Sequence, residues 1–256
     1  MKRYSLTFAL ILALLLSSSA FAQSYRFMTV VDQADPNNPF TQLLGINNSM
    51  AIAGYHNFFS NQGFTLTLPL QFTVENYPGS MMTQVIGINN SLTTSGFYVD
   101  QNSVTHGFYH TSNGTFTNVD FPNTAFNQLL SQNDLQQASG YFSLSQNNST
   151  PDFPYVYDEV GGVFQVITIP GAVGGAQATG INNSQEVCGF FIDSNMVNHG
   201  WLLNGGVFLQ LDYPNSTFTQ ALGLNNHGQV VGAYMDQSGL THGFLYTVSS
   251  GQYTNI

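Results

Sequence analysis

Positive charge is nearly missing from this chain: three Lys and Arg stand against thirteen Asp and Glu in 256 residues, and two of the three are Lys2 and Arg3. Such a balance repels phosphate backbones and anionic lipid surfaces, which excludes nucleic-acid binding through a basic patch. Cysteine is scarce too. Cys188 stands alone, so no intrachain disulfide is possible and stability has to come from packing. The run Val187-Cys188-Gly189-Phe190 carries no Lys, Arg or His, the setting of a buried small side chain rather than an activated thiol. Charged residues of both signs make up only 6% of the chain while aromatics reach 14%, which separates it from a disordered acidic tail. After residue 22 a helical period is hard to find. No later segment approaches the roughly 18 to 20 apolar residues of a membrane-spanning helix.

The first 22 residues have the pattern of a secretory signal: Lys2 and Arg3, an apolar stretch from Leu6 to Leu16, and the small-x-small site Ala20-Phe21-Ala22. Cleavage is expected near Ala22, with the chain exported to the periplasm or beyond, released and not inserted in a membrane. Arg26 would then be the only basic residue, for a net charge near -12 (one minus thirteen).

Residues 23–256 form one repeat domain of five copies. A Gln, an Asn and a Gly recur at Gln42/Asn47/Gly54, Gln84/Asn89/Gly96, Gln128/Asn133/Gly140, Gln177/Asn182/Gly189 and Gln220/Asn225/Gly232, always five and then seven residues apart. Dividing the 234 residues by five gives about 47 per copy, the size of a four-stranded propeller blade. The last copy shows why strands are expected. Four short runs rich in β-branched and aromatic residues are separated by Asn225-Asn226-His227-Gly228, by Met235 to Leu240, and by Ser249-Ser250-Gly251. Asn suits the first turn because it tolerates positive φ and can bond its own backbone. The predicted fold is all-β, a five-bladed β-propeller of four-stranded antiparallel blades, with an open β-solenoid of the same repeats as the alternative. Phe27 to Asp32 resembles a fourth strand and is expected to pack on the last blade and help close the ring.

The strings Gly-Ile-Asn-Asn at 45–48, 87–90 and 180–183, Gly-Ala-Tyr-Met-Asp at 232–236, and His-Gly-Phe at 106–108 and 242–244 resemble the bacterial extracellular repeats called HAF. This chain uses Gly for the Ala of the name, His199-Gly200-Trp201 in copy four and Gln62-Gly63-Phe64 in copy one. Copy three departs further, with Ser131-Gln132-Asn133-Asp134 at the turn and Phe153-Pro154-Tyr155 at the triplet. The resemblance covers nearly all of 23–256 and implies an exported repeat protein. It carries no reaction.

Three copies place an Asp six residues before the triplet His: Asp100/His106, Asp193/His199 and Asp236/His242. Copies one and three lack both partners, so contact across one hairpin loop is expected, the Asp orienting the imidazole to fasten the hairpin. A catalytic dyad would need a nucleophile placed once, and none is evident. No cofactor or metal ligand set is expected; calcium completed by backbone carbonyls is the remaining alternative. Gln42, Gln84, Gln128, Gln177 and Gln220 would occupy equivalent positions around an axis, where their amides either bind neighbouring backbone or hold a polar ligand such as a sugar. Between each Gln and its Asn there is no carboxylate, against the paired acids of a propeller glycosidase. The remaining acids lie elsewhere: Glu75, Asp120 and Asp212 near fourth-strand ends, with Asp120-Phe121-Pro122 and Asp212-Tyr213-Pro214 as turn signals, and Asp152, Asp158 and Glu159 in copy three. The chain is expected to be a monomeric, non-catalytic binding or surface-interaction module for a glycan, another neutral polar ligand or a cell-surface component. The alternatives are a secreted glycosidase-like hydrolase and a purely structural envelope protein.

Overall fold

Short β-branched and aromatic runs broken by Asn, Asp and Gly fold in every copy as four consecutive strands. The computed structural model describes residues 29–31, 40–58, 60–146 and 151–256. Copy one supplies β1 (Thr41–Ile46), β2 (Ala51–Phe58), β3 (Ser60–Thr67) and β4 (Gln71–Val74); copy two β5 (Met82–Ile88), β6 (Thr94–Val99), β7 (Thr105–His110) and β8 (Phe116–Val119). Copy three supplies β9 (Phe126–Gln132), β10 (Gln137–Ser143), β11 (Asp152–Asp158) and β12 (Val163–Val166); copy four β13 (Gly175–Ile181), β14 (Val187–Ile192), β15 (Asn198–Asn204) and β16 (Val207–Leu211). Copy five supplies β17 (Phe218–Leu224), β18 (Gln229–Met235), β19 (Thr241–Thr247) and β20 (Gln252–Asn255). Successive strands within a copy pair antiparallel, and a single parallel bridge between Thr105 and Phe126 joins copies two and three into one eight-stranded sheet. No helix occurs among the described residues, so none there is long and apolar enough to cross a membrane. All twenty strands lie in the compact unit Val31–Ile256. The signal segment and residues 27, 28 and 32 lie outside the described residues; Thr29, Val30 and Val31 are described and belong to no strand.

The first hairpin of each copy is shaped by the anchor Asn, whose Oδ1 accepts from backbone amides two and four residues later, as Asn89 does from Ser91 (3.0 Å) and Thr93 (2.9 Å). Positive φ falls elsewhere than on the Asn pair. It is carried by the residue three after the anchor: Met50, Leu92 and Gln136 at 60°, Gln185 at 61° and Gly228 at 68°. Four of the five are residues for which this conformation is costly, by about 1 kcal/mol. Leu92→Gly should therefore stabilise the chain, by about 0.5 kcal/mol after the extra unfolded-state entropy of Gly is subtracted. A urea midpoint that falls instead would show that Leu92 contributes packing that its exposure does not reveal.

The anchor Gly answers to packing rather than to φ. Each first strand has a bulge one residue after the Gln, for example between Val85 and Gly87. The Gln carbonyl then lies over the Gly: a Cβ added at Gly96, Gly140 or Gly232 would stand 2.0 Å from the carbonyl oxygen of Gln84, Gln128 or Gln220. The last residue of the triplet fills the same space from the third strand, and Phe64, Phe108, Tyr155, Trp201 and Phe244 are all fully buried. Each buried ring contributes on the order of 2 to 3 kcal/mol.

No copy encloses a core by itself. Each hydrophobic cluster is shared by two successive copies: Ala51 and Ala53 pack with Val85, Ile88, Tyr98 and Phe108, and Cys188, Leu202 and Leu211 pack with Ala221, Val230 and Phe244. Burial pushes the Cys188 thiol up to about 12, which leaves it unreactive. Two chains of hydrogen bonds run across the copies. The Nδ2 of Asn47, Asn89, Asn133 and Asn182 donates to the carbonyl of Asn89, Asn133, Asn182 and Asn225 at 3.0 to 3.1 Å. One residue on, the backbone amides of Asn48, Asn90, Asp134 and Asn183 donate to the side-chain oxygens of Asn90, Asp134, Asn183 and Asn226 at 2.7 to 2.9 Å. Burial works to raise the Asp134 pKa, and hydrogen bonds from Asn183 and Asn90 more than reverse it, holding the carboxyl below its ordinary value. Among the described residues no such rung joins Asn225 to Asn47.

Candidate functional site

The links between copies build the site. After the fourth strands of copies one, two and four the chain runs Asn76-Tyr77-Pro78, Asp120-Phe121-Pro122 and Asp212-Tyr213-Pro214, and the next residue has positive φ: Gly79 at 77°, Asn123 at 61° and Asn215 at 62°. This sharp turn lays the link aromatic against the following copy. Tyr77 stacks on Tyr98 (3.7 Å between centroids), Phe121 on Phe142 (4.0 Å) and Tyr213 on Tyr234 (3.6 Å). Those second rings stack in turn on the first residue of the triplet: Tyr98 on His106 (5.0 Å), Phe142 on Phe153 (5.2 Å) and Tyr234 on His242 (5.0 Å). In copy four Phe191 stacks on His199 (5.1 Å). The triplet His is thus a ring in a column, which is why Phe153 replaces it in copy three.

Each paired Asp serves its loop before it serves the His. Asp100 Oδ1 accepts from Asn102 and Val104 (both 2.8 Å), Asp193 Oδ1 from Asn195 (2.8 Å) and Val197 (2.9 Å), and Asp236 Oδ1 from Ser238 (2.8 Å) and Leu240 (3.0 Å). The other oxygen faces the imidazole Nε2 at 3.7 Å for His106, 3.5 Å for His199 and 2.9 Å for His242. The amides of Val104 and Val197 are the first cause holding Asp100 and Asp193 below the ordinary carboxylate range, and the Ser238 hydroxyl followed by His242 does so for Asp236. The shorter contact of two imidazoles is with a link residue: His106 Nδ1 lies 2.7 Å from Asp120, and His199 Nδ1 2.9 Å from Asp212. Local sequence marks these two acids only as turn formers. Their place two residues before the link Pro is the signal that ties them to the His.

Two clefts open at equivalent places along the links. Between copies one and two, a cleft of about 300 Å³ is lined by Asn61, Gln62, Asn76, Tyr77, Pro78 and Met82, among others. Between copies four and five, one of about 250 Å³ is lined by Asn198, His199, Asp212, Tyr213, Pro214 and Phe218, among others. The floors match. The link amides of Tyr77 and Tyr213 donate to Thr83 and Thr219 (3.0 and 3.1 Å), whose hydroxyls meet Ser80 and Ser216 (3.0 and 2.9 Å). Amide groups, a hydroxyl-bearing ring and an apolar side chain therefore border both clefts. The first has no carboxylate in its lining and the second has only Asp212. Paired acids for glycoside hydrolysis are not brought together in either. Among the described residues no group of three or more His, Cys, Asp and Glu could hold a metal ion.

Four of the five Gln side chains hydrogen-bond to their surroundings, and among the described residues none bonds to another Gln. Gln42 and Gln128 accept from Tyr55 and Tyr141 of the adjoining second strand (2.5 and 3.0 Å). Gln177 donates to Asp152 (2.8 Å) and Gln220 to Asn198 (3.2 Å), both at the start of the preceding copy's third strand. Burial raises the Asp152 pKa. Gln84 makes no side-chain hydrogen bond with the described residues. Gln220 thus positions a residue that lines a cleft.

Copy three also holds a perturbed acid away from the clefts. Burial first, and the Asp158 charge second, push the Glu159 carboxyl up to about 7, beside the Gln132 amide that donates to it. A raised carboxylate pKa favours folding while the group is protonated, and that contribution is lost as pH rises through about 7. Glu159→Gln should accordingly raise the melting temperature above pH 7 and leave it unchanged below about pH 4. Equal shifts at both ends of the range would place the effect on packing instead.

No protein-family model matches this sequence, and no curated protein matches it. Solved structures do. The chain is similar to TolB from Acinetobacter baumannii, with a TM-score of 0.63 and 10% identity over 87% of this chain and 57% of that one. It is similar to an arginine-to-alanine mutant of AofleA from Arthrobotrys oligospora (TM-score 0.52, 10% identity, 84% of this chain and 72% of that one). A mutant of Aleuria aurantia lectin in complex with alpha-methyl-L-fucoside gives a TM-score of 0.50 and 11% identity over 85% of this chain and 75% of that one. At such identities the likeness is one of fold: four-stranded antiparallel sheets in a propeller-like arrangement. The chain spans 57% of the TolB chain it matches.

Proposed function

We propose that this chain is an exported, non-catalytic binding module, a HAF-type repeat protein whose five copies are blades of a propeller and whose inter-blade clefts take a neutral polar ligand, in the first instance a carbohydrate. The observation that carries this reading is the recurrence of one cleft at equivalent links, bordered by amides, a Tyr ring and an apolar wall, without paired carboxylates. Sugar hydroxyls want donor and acceptor pairs, which Asn61, Gln62, Asn76 and Asn198 offer, and sugar faces pack on rings. The fold likeness to a lectin seen with a methyl fucoside supports the same class of ligand. The near-absence of basic residues argues against an anionic one.

Glycan-array binding followed by calorimetry on the best ligand tests this. Asn61→Ala and Asn198→Ala should each weaken binding, about tenfold for every 1.4 kcal/mol of binding free energy removed, with little change in melting. Turnover of glycosides in a glycosidase screen would favour the hydrolase. Failure to bind any glycan would favour the structural envelope protein.

A further inference from the structure

We propose that the space between the fifth copy and the first is a docking site for one further β unit of the same repeat chemistry, carried by another polypeptide. Each internal junction is made the same way, and among the described residues both ends of the series present an unfilled half of it. On the incoming side, the residue after the Gln is fully buried in Val85, Leu129, Ala178 and Ala221, yet Leu43 is 40% exposed and Ile46, next to its Asn, 66%. On the outgoing side, the residue before the anchor Gly is fully buried in Ala53, Ser95, Ser139 and Cys188, yet Val231 is 44% exposed. Inner-strand glycines repeat the contrast. A Cβ on Gly45 or Gly87 would strike the backbone of the next copy within 2.4 to 2.8 Å, and one on Gly180 would lie 3.2 Å from Gly223 Cα, whereas one on Gly223 meets, among the described residues, only Val231 of its own copy at 3.7 Å.

The hydrogen-bond ladder says what would fill the space. Asn225 Nδ2 donates to Gln229 within its own turn, and among the described residues neither it nor the Asn226 amide has the cross-copy partner that every earlier Asn position has. At the other end the Asn47 carbonyl and the Asn48 side-chain oxygen receive no donor from a preceding copy among those residues. One incoming Asn-Asn turn answers both ends together: its carbonyl and Oδ1 accept from Asn225 and Asn226, and its Nδ2 and following amide donate to Asn47 and Asn48. An apolar strand beside that turn would cover Leu43, Ile46, Leu222 and Val231, none of which is charged. A small-molecule ligand offers neither this doubled pattern nor that apolar area.

The test extends the full chain at Ile256 with a second copy of residues 212–256 and compares it with the unextended chain. The extended protein should melt several degrees higher, and the Gly223 and Val231 amides should exchange with solvent at least tenfold more slowly. N225A together with N226A in the original fifth copy should remove most of that gain. A second substitution keeps the idea testable if the extension misfolds: V231D should cost the unextended chain little, because this face is open. No slowing of exchange in the extended protein overturns the proposal. So does strong destabilisation by V231D, which would mean that the series closes on itself. Light scattering that finds a dimer dissociated by V231D would assign the face to a second whole copy and overturn it equally.

Discussion

Gly189→Ala should remove more than about 3 kcal/mol of stability, enough to leave a marginal protein largely unfolded. The added Cβ would stand 1.9 Å from the Gln177 carbonyl oxygen and 2.8 Å from the Trp201 ring. Neither neighbour has room to move. The carbonyl belongs to the bulged first strand, and Trp201 is fully buried in the cluster that copy four shares with copy three. Gly79→Ala is the control, since that Gly lies at φ 77° with nothing near its Cβ direction. Its cost should be only the strain of a left-handed Ala, about 1 kcal/mol. Similar urea midpoints for the two variants would show that the strands separate easily and that the Gln-to-Gly contact is not what excludes a side chain there.

Asn133→Ala is expected to cost about 3 kcal/mol, against about 1 kcal/mol for Asn225→Ala. Both side chains close their own turn: Asn133 Oδ1 accepts from Leu135 (2.9 Å) and Gln137 (3.0 Å), and Asn225 Oδ1 from His227 (2.9 Å) and Gln229 (3.1 Å). Asn133 is also buried and donates to the Asn182 carbonyl of the next copy at 3.0 Å, which Ala would leave without that donor. Asn225 is exposed and has no such bond to lose. The difference between the variants therefore isolates one rung together with its burial. Equal losses in urea melts of unchanged slope would mean that the cross-copy bonds contribute nothing measurable.

Local chemistry was legible in the sequence. The strands, the Asn turns and the solitary inert Cys188 all depend on residues close in the chain or on a pattern stated five times over. The bond from Asn89 to the amides of Ser91 and Thr93 needs only the intervening residues to turn tightly, and any chain with that spacing can make it. The clefts were only partly legible. Asp120 and Asp212 read as turn formers because their partners His106 and His199 lie fourteen and thirteen residues back, across a hairpin whose register the sequence does not state.

What only the tertiary structure decided lies between copies. The Asn ladder links residues 42 to 49 positions apart, as from Asn47 to Asn89 and from Asn133 to Asn182. A tandem pattern specifies each copy almost identically, but the angle at which one copy stacks on the next follows from the summed shapes of Ala53, Val85, Phe108 and their equivalents. That angle determines whether a fifth copy meets the first. It turned the residue after each anchor Asn from a turn former into a bridge, and left Asn225 exposed without a cross-copy partner among the described residues, although nothing in its own sequence sets it apart from Asn89 or Asn182.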